Sequence, residues 1–279
     1  MPQSLTELLG LERSPLFLIA GPCVIESAEV CLAVARHVKD VCARLGITYI
    51  FKASFDKANR SSNSSFRGPG LEDGLVVLKR VKDELGLPVL SDIHETQQAA
   101  EAATVLDILQ VPAFLARQTD LLIACARAGK AVNVKKGQFM APAEMANAVE
   151  KIRAAGNDRI LLTERGTFFG YNRLVNDFTA LPILKSFGCP VIFDITHSTQ
   201  QPAGLGNQSG GNPHYSPLLA RAAVAAGVDG LFLECHPDPQ NAKSDSATML
   251  GLDSVEPLLA QAVGIAKLRA SWEIGNSKG

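Results

Sequence analysis

Short apolar runs alternate with longer helical patterns along the chain. Eight runs rich in Val, Ile and Leu lack polar alternation, which is typical of strands buried on both faces. We predict these strands at 16–20, 47–52, 88–91, 106–110, 131–135, 159–163, 190–194 and 229–234. The segments between them carry apolar residues at helical spacing, which predicts helices. The first helix begins after Ser27 and ends at Gly46. We predict the others near 72–85, 96–103, 118–128, 142–155, 177–187, 216–226 and 254–270.

Eight strands, each followed by a helix, indicate an α/β fold. This number of units within about 250 residues favours a (β/α)₈ barrel. The alternative is a doubly wound open sheet, which usually carries the motif G-x-G-x-x-G after its first strand. The sequence at 21–27 is GPCVIES, which lacks this motif. No linker or change of composition divides the chain. We therefore predict one domain over 1–279, with the barrel at about 16–270 after a short N-terminal extension.

The composition excludes several classes of protein. Lys and Arg number 27 against 28 Asp and Glu, so no basic excess points to nucleic acid or an anionic membrane. No run of 18 uncharged apolar residues predicts a transmembrane helix, and the acidic N-terminus does not resemble a signal peptide. The six cysteines form no C-x-x-C pair, so we expect reduced thiols and a cytoplasmic protein.

Polar residues interrupt the apolar pattern at the carboxyl ends of the predicted strands, where barrel enzymes place their active sites. For a single residue, a structural ion pair is the favoured interpretation. The prediction of an active site depends on the convergence of many such residues on one rim: Cys23, Lys52, Asp92, Gln110, Lys135, Glu164, Arg165, Asp194, His197 and Glu234.

One side of this rim offers metal ligands. Barrel closure makes neighbours of strands seven, eight and one, so His197, Glu234 and Cys23 should meet, and the loop after strand eight adds Asp245. A thiolate, an imidazole and two carboxylates suit a borderline divalent metal. The alternative is that Cys23 is a buried apolar thiol. Cys235 should point away from Glu234 if the strand extends that far.

The other side of the rim is cationic and suggests an anionic ligand. A solvated loop is the alternative, and it is most credible for Lys57 and Lys136. The segment Ser209-Gly210-Gly211 can approach a phosphate, although a glycine pair is weak evidence, and the loop at about 196–214 has the length of a lid. The cationic candidates are Lys52, Lys57, Arg60, Lys135, Lys136 and Arg165.

Several long motifs resemble the 3-deoxy-D-manno-octulosonate 8-phosphate synthase family. They are FKASFDKANRSS at 51–62, RGPGLE at 67–72, QVPAFLARQTD at 110–120, NVKK at 133–136 and HPDP at 236–239. The resemblance covers about residues 16–255. It implies a (β/α)₈ barrel, usually a homotetramer, that condenses phosphoenolpyruvate with D-arabinose 5-phosphate and water for lipopolysaccharide synthesis.

The resemblance also implies roles for individual residues. Lys57, Lys135 and Arg165 would hold phosphoenolpyruvate, with Lys52, Gln110 and the backbone near Ala113 beside them. Arabinose 5-phosphate would bind Asn59, Arg60 and Ser61, and Asp92 belongs to the same substrate-binding set. Metal-independent members carry Asn where this chain has Cys23, so the set Cys23, His197, Glu234 and Asp245 matches the metal-dependent branch, with zinc, iron, manganese or cobalt as the ion.

The proposed chemistry joins carbon 3 of phosphoenolpyruvate to the aldehyde while water adds to carbon 2. His197 and Asp245 are the candidates to take the water proton.

Three alternative functions stay open. A 3-deoxy-D-arabino-heptulosonate 7-phosphate synthase would use erythrose 4-phosphate, but it typically has Lys-Pro-Arg-Thr where this chain has KANRS at 57–61. A Schiff-base aldolase would form an imine at Lys52 or Lys135, and borohydride would trap that imine with the substrate. A non-catalytic sugar-phosphate-binding barrel would release no phosphate from the two substrates.

Overall fold

A closed parallel barrel forms the centre of the molecule. The computed structural model describes residues 4–59, 65–202, 204 and 210–276. Within these residues, eight parallel strands pair in chain order, and β1 also pairs with β8, Phe17 lying opposite Gly230. This closure confirms the (β/α)₈ prediction and excludes the open sheet. The strands are β1 Phe17–Gly21, β2 Thr48–Lys52, β3 Val89–Asp92, β4 Ile108–Val111, β5 Ala131–Lys135, β6 Ile160–Glu164, β7 Val191–Asp194 and β8 Gly230–His236.

The helices surround the barrel, and their boundaries follow local capping. Ser27 caps the second helix through its side chain, and Gly46 ends that helix in the left-handed region, as the sequence predicts. Within the described part of the chain the helices are α1 Leu5–Leu9, α2 Ala28–Leu45, α3 Leu71–Leu85, α4 Gln98–Ala102, α5 Thr119–Arg127, α6 Met145–Ala154, α7 Ala180–Lys185, α8 Ser216–Ala225 and α9 Val255–Asn276.

Two predicted helices are shorter in the structure. The segment predicted at 96–103 is helical only from Gln98, whose side chain accepts hydrogen bonds from the backbone of His94 and Glu95 and holds them in a turn. The segment predicted at 177–187 starts at Ala180, since Asp177 accepts from the backbone N–H of Thr179. Such local hydrogen bonds compete with the first helical turn.

Two apolar layers follow from the twofold alternation of side chains along each strand. One layer lies between the barrel and its helices, and Cys235 packs there. Phe232 points into the barrel, and Glu234, two residues further on, lies on the same side of the strand. Cys235 therefore points away from Glu234, as predicted. The inner layer contains Phe17, Ile19, Ile50, Leu90, Ile108, Ala131, Leu161, Ile192 and Phe232.

The N-terminal extension closes the amino end of the barrel. Leu9 of α1 is fully buried in the inner layer, with Leu5, Leu8 and Leu11 packed against it. Gly10 ends α1 with φ 62°, and a Cβ there would lie 1.9 Å from Thr48 Oγ1. One end of the barrel is therefore apolar and covered, which leaves the carboxyl ends of the strands for polar chemistry. In the described residues, no helix combines the length and the apolar character needed to cross a membrane.

We predict that Leu9→Ala lowers the free energy of unfolding by about 2–5 kcal/mol, because it opens a cavity in the inner layer. Leu268→Ala is the control, since Leu268 is 53% exposed. Chemical denaturation measures both variants. Equal stability of the two variants would show that α1 does not support the barrel.

Candidate active site

The carboxyl ends of the strands surround a polar cleft. The charged side chains that end β2, β3, β5 and β7 are each less than a tenth exposed, so their charges are held within the protein. The cleft is lined by Lys52, Lys57, Asn59, Asp92, His94, Pro112, Ala113, Phe114, Lys135, Gln138, Arg165 and His197.

Four of the six predicted cations, Lys52, Lys57, Lys135 and Arg165, line this cleft. Lys52 Nζ lies 2.7 Å from Glu234 Oε1, and Lys135 Nζ lies 2.6 Å from Asp194 Oδ2. Burial alone would lower the pKa of Lys57, yet its pKa is raised because the Cys23 sulfur and the Glu234 carboxylate lie nearby. Lys57 is only 9% exposed, so the solvated-loop interpretation is wrong for this residue.

One nitrogen of the Arg165 guanidinium has no hydrogen-bond partner in the described structure. Its Nη2 donates to Gln200 Oε1 at 2.7 Å, whereas its buried Nη1 has no hydrogen-bond partner among the described residues. Burial lowers the pKa of Arg165, although Asp194 and Glu164 oppose this shift. A buried guanidinium N–H without a partner is suited to an anionic ligand.

Lys136 has a different place from the other cations. It is fully buried but does not line the cleft, and its Nζ donates to Thr167 Oγ1 at 3.0 Å and lies 3.5 Å from Glu164 Oε1. Glu164 in turn accepts from the backbone N–H groups of Arg165 and Gly166. The solvated-loop interpretation of Lys136 is therefore wrong, and the lysine supports the turn that carries Arg165.

Asp92 and Gln110 lie at the base of the cleft. Gln110 donates to Asp92 Oδ1 at 2.7 Å and accepts from Asn133 Nδ2 at 2.8 Å, so both ends of its amide are engaged. Ser54 Oγ also bonds to Asp92 Oδ2. Burial would raise the pKa of Asp92, but Lys52 and Lys57 outweigh it and hold the pKa well below its usual range. Asp92 is therefore a fixed negative charge beneath the cationic residues.

The predicted metal ligands come from β1, β7 and β8 and their loops. One ligand atom from each of Cys23, Glu234 and Asp245 lies within 4.8 Å of the others. Cys23 Sγ lies 2.9 Å from Asp245 Oδ2, and His197 Nε2 lies 3.7 Å from Glu234 Oε2. The structure thus brings three of the four into one group, with His197 beside Glu234. We call these four residues the donor cluster.

The donor cluster has the properties of a cation site. Glu234 Oε2 is buried and has no hydrogen-bond partner in the described ranges. Burial, with the charges of Asp245 and Glu234, raises the pKa of the Cys23 thiol well above its usual value. Asp245 adopts φ 48°, a left-handed conformation that few residues other than glycine accept. A divalent cation would compensate these groups, so the residues fit a metal.

Several contacts were not predicted from the sequence. Ser244 Oγ lies 2.9 Å from Cys23 Sγ, and Gln200 joins Arg165 to Asp245. His94 and Gln138 line the cleft. His94 follows Asp92 by two residues at a strand end, which is a usable signal, whereas Ser244 and Gln200 lie in loops whose paths the sequence does not determine.

The loop predictions have mixed outcomes. Asn59 and Ala113 line the cleft, while Arg60 and Ser61 lie outside the described residues. Ser209 also lies outside them. A Cβ at Gly211 would lie 2.0 Å from Thr248 Cγ2, so close packing of two loops accounts for this glycine without a phosphate.

The chain is similar to known proteins over most of its length. The profile of the DAHP synthetase I family matches residues 7–268. A protein of Desulfotalea psychrophila is 55% identical over 96% of this chain and 95% of its own length, and one of Syntrophotalea carbinolica is 57% identical over 90% and 91%. Both are named 2-dehydro-3-deoxyphosphooctonate aldolase, as is a Cyanothece relative with 57% identity over 91% and 93%.

The chain belongs to this family of 2-dehydro-3-deoxyphosphooctonate aldolases. The name denotes the 3-deoxy-D-manno-octulosonate 8-phosphate synthases, so the family resemblance of the motifs is confirmed. These relatives carry the name of the eight-carbon product, which does not favour the heptulosonate alternative.

We predict that Lys136→Met lowers the free energy of unfolding by about 3–5 kcal/mol, because it leaves the buried Glu164 carboxylate without its cation. Adding Glu164→Gln removes that charge and should restore part of the loss. Thermal and chemical denaturation of the single and double variants measure this. Unchanged stability of Lys136→Met would argue against a structural role for Lys136.

Proposed function

We propose that this protein condenses phosphoenolpyruvate with D-arabinose 5-phosphate and water at the described cleft, with a divalent metal ion bound by the donor cluster. The condensation is the activity of the family to which the chain belongs. One observation carries the assignment of the site: buried cations and the Cys23, Glu234 and Asp245 group share one rim, and Lys52 bridges them by its contact with Glu234.

Phosphoenolpyruvate binds on the cationic side of the cleft. Lys57, Lys135 and Arg165 hold its carboxylate and phosphate, with Lys52 beside them. Support comes from their position in one cleft and from the Arg165 Nη1 that has no partner in the described structure. The backbone at Ala113 adds to the phosphate site. Gln110 acts mainly by holding Asp92, since its amide is already engaged.

Arabinose 5-phosphate binds at the loop that follows β2, beyond Lys57. Asn59 contacts the pentose, and Arg60 and Ser61 bind its phosphate. The position of Asn59 at the cleft supports this arrangement. The two anionic substrates are then held face to face, which lowers the barrier by proximity and by fixed positive charge.

The reaction forms one carbon–carbon bond and releases phosphate. Carbon 3 of phosphoenolpyruvate attacks the aldehyde carbon, whose oxygen takes a proton. The oxygen of water bonds to carbon 2 and loses a proton to Asp245, since His197 would have no basic nitrogen left with Nε2 on the ion and Nδ1–H on Asp194. The carbon 2–oxygen bond to phosphate then breaks, the carbon 2 hydroxyl becomes the keto group, and its remaining proton passes to the departing phosphate. The buried cations stabilise the negative charge on the departing phosphate throughout.

Zinc, iron, manganese or cobalt matches the thiolate, imidazole and carboxylate donors of the donor cluster. When bound, such an ion supplies Lewis acidity and fixed positive charge. Glu234 contacts Lys52, and the ring of His197 lies beside Lys135, so the donor cluster adjoins the cationic side of the cleft.

We also propose a cytoplasmic homotetramer. Six free cysteines are all buried, which suits a reducing compartment. The exposed aromatic side chains Phe139, Phe168, Phe169 and Tyr171 provide apolar surface for contacts between subunits.

We expect arabinose 5-phosphate to be preferred over erythrose 4-phosphate in kcat/KM. Arg60→Ala should raise KM for the pentose phosphate about 10–150-fold, the loss of one charge-assisted contact, with a much smaller change for phosphoenolpyruvate. Steady-state phosphate release measures both. Arg67→Ala is the control in the same loop, because its exposed guanidinium pairs with Asp56. A parallel rise of both KM values would refute the role of Arg60.

We expect a strong chelator to abolish activity and a borderline divalent ion to restore it, with calcium far less effective because it prefers oxygen ligands. Cys23→Asn should weaken metal binding, measured by metal analysis after dialysis, and some activity should survive chelation. Cys125→Ala, a buried thiol outside the cluster, should keep wild-type metal content. Full activity of metal-stripped wild-type protein would show that the metal assignment is wrong.

A further inference from the structure

Asp194 is a buried carboxylate that no step above uses. It ends β7, is completely buried, and does not line the cleft. Its Oδ1 accepts from the backbone N–H groups of Thr196 and His197 at 3.1 and 2.8 Å. Its Oδ2 lies 2.6 Å from Lys135 Nζ and 2.7 Å from His197 Nδ1. Hydrogen-bond donors of the protein surround the carboxylate. Asp194 therefore acts on a ligand only through the residues that it contacts.

The contact with His197 orients the imidazole. Asp194 accepts the Nδ1 hydrogen, so the neutral form of the imidazole has its lone pair on Nε2, which lies 3.7 Å from Glu234 Oε2. Metal-binding histidines usually donate their other ring N–H to such a carboxylate, which fixes the ring and increases its basicity. Asp194 therefore prepares His197 for a cation at the donor cluster.

The contact with Lys135 involves the same oxygen. Lys135 Nζ lies 3.5 Å from His197 Nδ1 and 3.9 Å from the centre of the Phe232 ring, and the lysine lines the cleft. Asp194 Oδ2 thus accepts hydrogen bonds from His197, which belongs to the donor cluster, and from Lys135, which lines the cleft. Any change in how strongly one donor binds this oxygen must change its attraction for the other.

We propose that Asp194 is a positioning residue that couples metal binding at the donor cluster to phosphoenolpyruvate binding at Lys135. A cation on His197 Nε2 makes the Nδ1–H a stronger donor, which draws the Asp194 charge toward the imidazole. Lys135 is then held less tightly and is released toward the anionic substrate. By linkage, phosphoenolpyruvate raises metal affinity by the same factor. This inference rests on the roles that the proposed function gives to His197 and Lys135.

The test measures binding in both directions without turnover. Co²⁺ is titrated into metal-free protein with and without saturating phosphoenolpyruvate, and visible absorption follows its coordination. Calorimetry measures the substrate Kd with and without Co²⁺. In wild-type protein we expect each ligand to tighten the other at least about 5-fold, the lower range of typical couplings. In Asp194→Asn the coupling factor should fall to about one, with Co²⁺ affinity reduced about 10–100-fold.

Two further variants separate positioning from a general structural role. Asp229→Asn removes a carboxylate that also pairs with a lysine, Lys185 at 3.0 Å, but at the opposite end of the barrel, and it should keep the wild-type coupling. Lys135→Met should keep or increase Co²⁺ affinity, since Asp194 then serves His197 alone, and saturating phosphoenolpyruvate should no longer change it. This variant decides the question if Asp194→Asn does not fold.

The outcomes distinguish this inference from the proposed function. Failure of wild-type protein to bind Co²⁺ would refute the metal site itself. If both ligands bind but neither affects the other, the coupling is refuted and the proposed function stands. Wild-type coupling in Asp194→Asn would show that the shared oxygen does not transmit it.

Discussion

The pairing of β1 with β8 is the constraint on which the site depends. It sets Gly21 opposite Glu234 and so brings Cys23 and the end of β8 to the same place, although they are more than 200 residues apart in the chain. Close packing on the two sides of β1, against β8 and against β2, requires two glycines. A Cβ at Gly230 would lie 2.5 Å from the Phe17 ring, and one at Gly21 would lie 2.0 Å from the Lys52 carbonyl oxygen. Without closure, the metal ligands would stand on opposite edges of an open sheet.

Barrel closure also forces charged side chains into a small buried volume, where each charge needs a partner. The rim solves this by pairing lysines with carboxylates: Lys52 with Glu234, Lys135 with Asp194 and Lys136 with Glu164. Because these pairs share neighbours, substitutions at the rim should not act additively. The charges are fixed before any ligand arrives, so little reorganisation is needed when anionic substrates bind.

The sequence was sufficient for the barrel and for most of the rim, since both follow from local pattern. Apolar runs located the strands, and polar residues such as Asp92 and Lys135 at their ends located the cleft. Burial of Lys57 and Lys136 was missed because it depends on which loops cover them. The role of Asp194 was missed for a related reason: a strand-end aspartate becomes a shared acceptor only when two other strand ends place Lys135 and His197 within hydrogen-bond distance.

The balance of charge at the rim supports the proposed role of a divalent cation in the reaction. Among the described rim residues, the five cations Lys52, Lys57, Lys135, Lys136 and Arg165 are matched by the five carboxylates Asp92, Glu164, Asp194, Glu234 and Asp245. These described residues therefore supply no net positive charge for two anionic substrates. A divalent ion at the donor cluster, with Arg60 on the pentose phosphate, would supply it. A member with Asn at position 23 would omit one potential negative charge, and its rim would then need less compensation from a metal.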